Sequence, residues 1–214
     1  MSESLRRHSD YGQVGLDEAD LSRDPVEQFL EWLRDAESAE VFEPNAMVLS
    51  TVAADGAPSS RTVLLRAAEP SGFEFVTTLS SRKGTELQAR PAVSLLFPWY
   101  ALRRQVIVLG DAHPITAEES DTYWVDRPRG SQISAWASEQ SRPIASRAEL
   151  ERRVAALEER FADGAVPRPS AWGAVRVVPR SIEFWQGRSS RLHDRLRFER
   201  ADAASPWSVQ RYQP

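Results

Sequence analysis

Residues 46–78 read Ala46-Met-Val-Leu-Ser-Thr-Val-Ala-Ala-Asp55-Gly56-Ala-Pro-Ser-Ser-Arg61-Thr-Val-Leu-Leu-Arg66-Ala-Ala-Glu-Pro-Ser-Gly72-Phe-Glu-Phe-Val-Thr-Thr78. From Ala46 the pattern takes the period of two that a pleated strand imposes, neighbouring side chains pointing to opposite faces. Ala46 to Ala53 therefore reads as a strand, Asp55-Gly56 as a tight turn, and Ser59 to Ala67 as the antiparallel partner. Gly72 closes a second turn before a third strand, Phe73 to Thr78.

Upstream, Asp24 can cap a helix, Pro25 suits its first position, and Glu27 stands where a capping-box acid belongs. Val26, Phe29, Leu30 and Leu33 follow at helical spacing. Met1 to Arg23 is charged and aperiodic and reads as a mobile arm, leaving residues 24–214 as a single domain. Downstream come a short helix, Gly84 to Arg90, and strands Ala92 to Phe97 and Arg104 to Gly110. Capping boxes at Thr116–Glu119 and Ser146–Glu149 open two more helices, the second with Leu150, Val154, Leu157 and Phe161 on one stripe. Strands Ala174 to Val178, Ser181 to Trp185, Arg191 to Arg200 and Trp207 to Tyr212 complete the pattern. Hairpins dominate and long helical crossovers are few. The prediction is a mainly β fold, an antiparallel barrel with peripheral α-helices, rather than a doubly wound parallel sheet.

The 27 basic and 31 acidic residues among 214 give a net charge of -4, which argues against a general nucleic-acid or anionic-membrane binder but leaves room for local basic pockets. There is no cysteine, which excludes disulfides, thiolate metal sites and cysteine nucleophiles. His8, His113 and His193 lie far apart in sequence, so no metal site is expected. No apolar window is long enough to span a bilayer and the N-terminal stretch lacks a signal-peptide core, so a cytoplasmic protein is expected.

Glycine-rich nucleotide signatures are missing. What the chain offers is cations at structured positions. Arg61 and Arg66 bracket an apolar run, and residues five apart on a strand point to opposite faces. Ser81-Arg82-Lys83-Gly84, between a strand and a helix start, makes a phosphate seat or a solvated loop. Arg127-Pro-Arg-Gly-Ser131-Gln is a basic connection of the same kind. If the run Arg191-Leu-His-Asp-Arg195 is extended, Arg191, His193 and Arg195 share one face and call for an anion or an electron-rich ring among them.

The ordered runs Arg61–Arg66, Ser81–Gly84, Arg104-Gln105-Val, Arg127–Gln132, Gln140-Ser141, Trp172-Gly173, Glu183-Phe-Trp-Gln-Gly187 and Arg191–Arg195 resemble the pyridoxamine 5′-phosphate oxidase family over residues 24–214. The resemblance implies an FMN-binding split barrel acting as a homodimer, with flavin sites built from both subunits. It implies oxidation of pyridoxine or pyridoxamine 5′-phosphate by O2 to pyridoxal 5′-phosphate and H2O2.

Carried over by residue, FMN would be held by Arg61, Thr62, Val63, Leu64, Leu65, Arg66, Val76, Thr77, Arg82, Lys83, Gln105, Gln140, Ser141, Trp185 and Arg195. The substrate would meet Arg66, Tyr123, Arg127 and Ser131 at its phosphate and Arg191, Leu192 and His193 at its ring, with Arg191 and His193 in the catalytic role. Arg66 stands where the family usually has lysine, Val76 replaces an aromatic or hydroxyl-bearing residue, and Trp172-Gly-Ala-Val175 replaces a Trp-Gly-Gly-aromatic run. Arg7 and Tyr11 fit an N-terminal motif only with spacing off by one and are not assigned. Two alternatives carry different chemistry: a phenazine-biosynthesis type of flavin oxidase on the same fold, and a non-catalytic FMN- or pyridoxal-phosphate-binding protein.

Overall fold

The computed structural model describes residues 2, 5, 6 and 9–214; Arg7 and His8 lie outside the described residues. Eight strands form one antiparallel sheet: β1 (Ala46–Val52), β2 (Pro58–Glu69), β3 (Gly72–Thr78), β4 (Ala92–Trp99), β5 (Arg104–Pro114), β6 (Trp172–Gln186), β7 (Asp194–Glu199) and β8 (Ser208–Tyr212). Their order is β3-β2-β1-β4-β5-β6-β7-β8, and a further β3–β6 pairing closes the first six into a split barrel. The helices are α1 (Pro25–Ser38), α2 (Arg82–Ala89), α3 (Ala117–Val125), α4 (Arg129–Ala137) and α5 (Arg147–Arg160). Among the described residues no helix is long and apolar enough to cross a membrane.

The core is aromatic. Phe29 of α1 is fully buried, with ring centroids 5.0 Å from Phe73, 4.7 Å from Phe97 and 5.8 Å from Trp99. Asp24 caps α1 by accepting the Val26 N–H at 2.7 Å, as its position predicts. Glu27 does not close a capping box; it accepts from the Ser22 hydroxyl instead.

Three expectations are corrected. The strands predicted as 174–178 and 181–185 are one strand, β6, running through Pro179. Proline has no N–H to give the ladder, and the register shift opposite Leu109/Gly110 absorbs it as a bulge. Gly110 permits this, because a Cβ there would lie 2.2 Å from the Val178 carbonyl oxygen. The basic connection after Arg127 is the start of a helix, α4. With Pro128 at its cap, no side chain caps it, and Gly130 lies in its first turn, so its start carries no local signal. Packing of Ile133 and the bonds from Arg129 to the Gly164 and Phe161 carbonyls hold it. Finally, Arg191, His193 and Arg195 do not share a strand face. Ser190 and Arg191 take φ of 57° and 61° in a short turn, and β7 begins only at Asp194.

Residues 11–21 of the segment read as an arm lie against the barrel. Tyr11 packs on Trp185 and His193, Leu16 is buried, and Arg211 binds Glu18 at 2.7 Å.

Truncating Phe29→Ala removes the ring that joins α1 to the barrel. Urea denaturation is expected to register a loss of about 3–5 kcal/mol; a loss below about 1 kcal/mol would mean that α1 is not part of the core.

Candidate functional site

A cavity of about 610 Å³ opens between β2, β3, the end of α4 and α5, within the range of cofactor sites. Its walls include Thr62, Leu64 and Arg66 from β2, Val76 from β3, Lys83 from α2 and Gln140. The Lys83 ammonium is buried, donating to Gln140 Oε1 at 2.7 Å and Thr77 Oγ1 at 3.2 Å. Burial, and then the nearby Arg61 charge, hold its pKa below the usual lysine value.

A second lobe of about 460 Å³ shares Arg66, Val76, Arg127 and Trp172 with the first and adds Tyr123, Asp126 and Ser131. Arg127 lies 5.5 Å from the centre of the Trp172 ring and donates to the Ser131 carbonyl at 3.1 Å. Burial and the facing charge of Arg66 lower the Arg127 pKa. Tyr123 donates its hydroxyl proton to Glu74 at 2.6 Å, and burial followed by that bond raises its pKa.

Within the described residues, none of Arg66, Lys83 and Arg127 forms an ion pair with a carboxylate. Three cations with no acid partner around one continuous space are costly unless an anion joins them. Arg61, Arg82 and Arg195 are already paired with acids. Arg61 and Arg82 both bind Glu86, at 3.2 and 2.8 Å, a carboxylate that is buried and also accepts from Thr51 and Ser59. Burial would push the Glu86 pKa up, yet these hydrogen bonds outweigh it and hold the carboxylate at about 2. Arg195 binds Glu183 at 3.0 Å. Arg61 and Arg66 do face opposite sides of β2, one to Glu86 and one to the cavity. Of the remaining residues expected at the flavin, Val63 and Thr77 line the cavity, Leu65 is buried in the core and Ser141 takes a φ of 73° just after Gln140.

A separate patch holds Trp185, Arg188, Arg191 and His193 with Tyr11, around a space of about 560 Å³; Gln105 pairs with Trp185 in register, and Leu192 beside it is exposed. The Arg188 N–H donates to His193 Nδ1 at 3.0 Å, so a neutral ring carries its proton on Nε2. Burial and then the Arg191 charge lower the His193 pKa, against the opposing charge of Asp194. Trp172, at the cavity, and Trp185, at the patch, are the first and next-to-last residues of the 15-residue strand β6. At ~3.3 Å per residue, reduced by strand coiling, they stand roughly 30–40 Å apart. No single small ligand touches both groups within one chain.

The residues that sequence reasoning missed are Glu74, Glu86 and Arg176. Glu86 carries a signal, its i+4 spacing from Arg82. Glu74 and Arg176 are cross-strand partners of β3 and β6, visible only once that pairing is known.

Because the Lys83 proton is lost at lower pH than a free lysine's, the cavity's affinity for a phosphate-bearing ligand such as FMN should fall early as pH rises from 7 towards 10. Replacing Lys83→Met should weaken FMN at pH 7 by roughly 10- to 100-fold and flatten that fall, as read by quenching of flavin fluorescence. An unchanged pH profile would remove Lys83 from the site.

A family model described as pyridoxamine 5′-phosphate oxidase matches residues 27–161, and one described as the pyridoxine 5′-phosphate oxidase C-terminal dimerisation region matches residues 172–214. The chain is 52% identical over 205 residues, 95% of each protein, to the pyridoxine/pyridoxamine 5′-phosphate oxidase of Burkholderia cenocepacia. It is 52% identical over 210 residues to that of Rubrobacter xylanophilus, covering 98% of this chain and 95% of the relative. Among solved structures it resembles PhzG from Burkholderia lata 383 in complex with tetrahydrophenazine-1-carboxylic acid, with a TM-score of 0.88 and 34% identity over 95% of this chain and 100% of that one. Closed barrel, basic cavity and matches along the chain agree: the chain belongs to the pyridoxamine 5′-phosphate oxidase family of oxidase-type enzymes and carries that family's C-terminal dimerisation region.

Proposed function

We propose that two copies of the chain hold FMN at their interface and oxidise pyridoxine 5′-phosphate or pyridoxamine 5′-phosphate. The alcohol and O2 give pyridoxal 5′-phosphate and H2O2; the amine consumes a water as well and releases ammonia. The observation that carries this reading is the trio Arg66, Lys83 and Arg127, which has no carboxylate partner among the described residues and lines two joined lobes. Two phosphorylated ligands need two basic seats, and the chain supplies them locally despite its net charge of -4.

In this reading Thr62, Leu64, Val76, Lys83 and Gln140 hold the flavin. Arg61 and Arg82 would reach it from their anchorage on Glu86. Arg66, Tyr123, Arg127 and Ser131 take the substrate phosphate. Bound FMN would supply the two-electron chemistry, accepting hydride at N5 and passing electrons to O2. The patch of Gln105, Trp185, Arg191, Leu192, His193 and Arg195 would come from the other protomer, since β6 holds it too far from its own cavity. His193 stays neutral to lower pH than an ordinary histidine, and its Nε2 then carries the ring proton and is a donor, which suits orienting the substrate ring rather than removing a substrate proton.

The similarity to PhzG favours a second reading, a flavin oxidase of tricyclic carboxylic acids. Ser131 beside Arg127 favours the phosphate, because a hydroxyl-bearing seat with two arginines matches an oxyanion having three free oxygens better than a carboxylate having two.

Anaerobic addition of pyridoxine 5′-phosphate to the FMN-loaded protein should bleach the flavin, and air should restore it as pyridoxal 5′-phosphate forms. A flavin that stays oxidised with both phosphates, yet is reduced by tetrahydrophenazine-1-carboxylic acid, would select the second reading. His193→Asn should slow flavin reduction by at least about tenfold while leaving the FMN dissociation constant within about threefold. The loss of wild-type rate at acid pH should fall below the ordinary histidine range, since protonating Nδ1 breaks its bond from Arg188. Equal losses in reduction and FMN binding would contradict that role.

A further inference from the structure

Glu74 lies on the outward face of β3, next to Val76 on the same face, while Phe73 and Phe75 point into the core. The residue is 5% exposed. Oε1 accepts from Arg176 Nε at 2.7 Å, and Oε2 accepts the Tyr123 hydroxyl proton at 2.6 Å. Arg176 donates in turn to Glu119 at 3.1 Å, and Glu119 accepts the Thr116 N–H at 2.9 Å in the capping box of α3. The relay therefore begins and ends on α3, the helix that carries Tyr123.

A phenol has one proton. While that proton points at Glu74, Tyr123 offers the second lobe only a lone pair. A phosphate dianion has only lone pairs as well. For Tyr123 to join Arg66 and Arg127 on such a ligand, its proton must leave a buried carboxylate that then loses one of its two charge-assisted bonds.

We propose that Glu74 competes with the ligand for the Tyr123 proton and so sets how loosely this lobe holds a phosphate. The inference rests on the phosphate reading of the lobe. It makes Glu74 a positioning residue that acts through Tyr123 and tunes how tightly the lobe holds a phosphate through one hydrogen bond.

Glu74→Gln separates this role from simple support. Arg176 Nε requires an acceptor, so the amide oxygen goes to Arg176 and the NH2 group faces the Tyr123 oxygen. The tyrosine then accepts from Gln and is free to donate into the lobe. The experiment is calorimetric titration of the FMN-loaded protein with inorganic phosphate, in wild type, Glu74→Gln, Tyr123→Phe and the double variant, with melting temperatures alongside. The expected result is binding about five- to tenfold tighter in Glu74→Gln, with the gain lost in the Tyr123→Phe background. Equal or weaker binding by a Glu74→Gln protein that melts like wild type overturns the proposal and makes Glu74 a support. A gain that persists without the Tyr123 hydroxyl overturns it too, because removal of a negative charge alone then explains the effect. Wild-type binding that is absent, or insensitive to Arg127→Ala, overturns the phosphate reading and the inference with it. Wild-type binding that Arg127→Ala weakens leaves the phosphate reading standing whatever Glu74 does.

Discussion

Strand β6 constrains everything else. It pairs with β3 through Trp172–Val177, which closes the barrel, with β5 from Val175 onward, and with β7 over Ser181–Gln186. One strand thus sets the wall behind the basic cavity and, at its far end, carries the Trp185 patch outward. Its length sets the basic cavity and the Trp185 patch too far apart to serve one small ligand within one chain. The arrangement proposed above, with the patch supplied by a second copy, would meet that geometry without bending the sheet, and the last strands, β7 and β8, fall within the matched dimerisation region. The bulge at Gly110 and Pro179 keeps β6 continuous; without it the proline would end the strand and detach the patch from the barrel.

How charge is distributed follows from that frame. An acidic chain can afford a basic cavity only by spending its acids elsewhere. Glu86 takes Arg61 and Arg82, Glu183 takes Arg195 and Arg197, and Asp194 takes Arg188 and Arg211. Each carboxylate is buried, so each pair is held firmly and neither arginine is free to wander. Among the described residues Arg66, Lys83 and Arg127 have no such partner, and burial lowers the pKa of the latter two.

Much of this was legible in the residues. Period-two runs and the Asp55-Gly56 and Gly72 turns located β1 to β3, and the pattern of hairpins predicted the barrel. The opposite facing of Arg61 and Arg66 followed from their spacing alone. Helix α4 was not legible because neither Pro128 nor Gly130 advertises a helix start; tertiary packing of Ile133 decides it. The turn at Ser190-Arg191 was hidden for a different reason. Positive φ is rare for residues that are not glycine, and nothing local marks it. Which arginines line the cavity and which are tied to acids depends on long-range pairings such as Arg195 with Glu183, and spacing does not encode those.

The buried carboxylates also explain why one of them differs. Glu86, Glu183 and Asp194 each hold two guanidinium groups, whose protons are fixed in number and never lost at neutral pH. Glu74 holds one guanidinium, from Arg176, and one phenol, from Tyr123. A second arginine there would lock the relay and place a permanent cation beside Arg66 and Arg127. A phenol instead rotates about its C–O bond and can give its proton to whichever acceptor is stronger. Of the four clusters, this one alone pairs its carboxylate with a hydroxyl that also borders the site. A fold that fixes six of its arginines on three buried acids has left a donor that can turn, Tyr123, facing the ligand lobe.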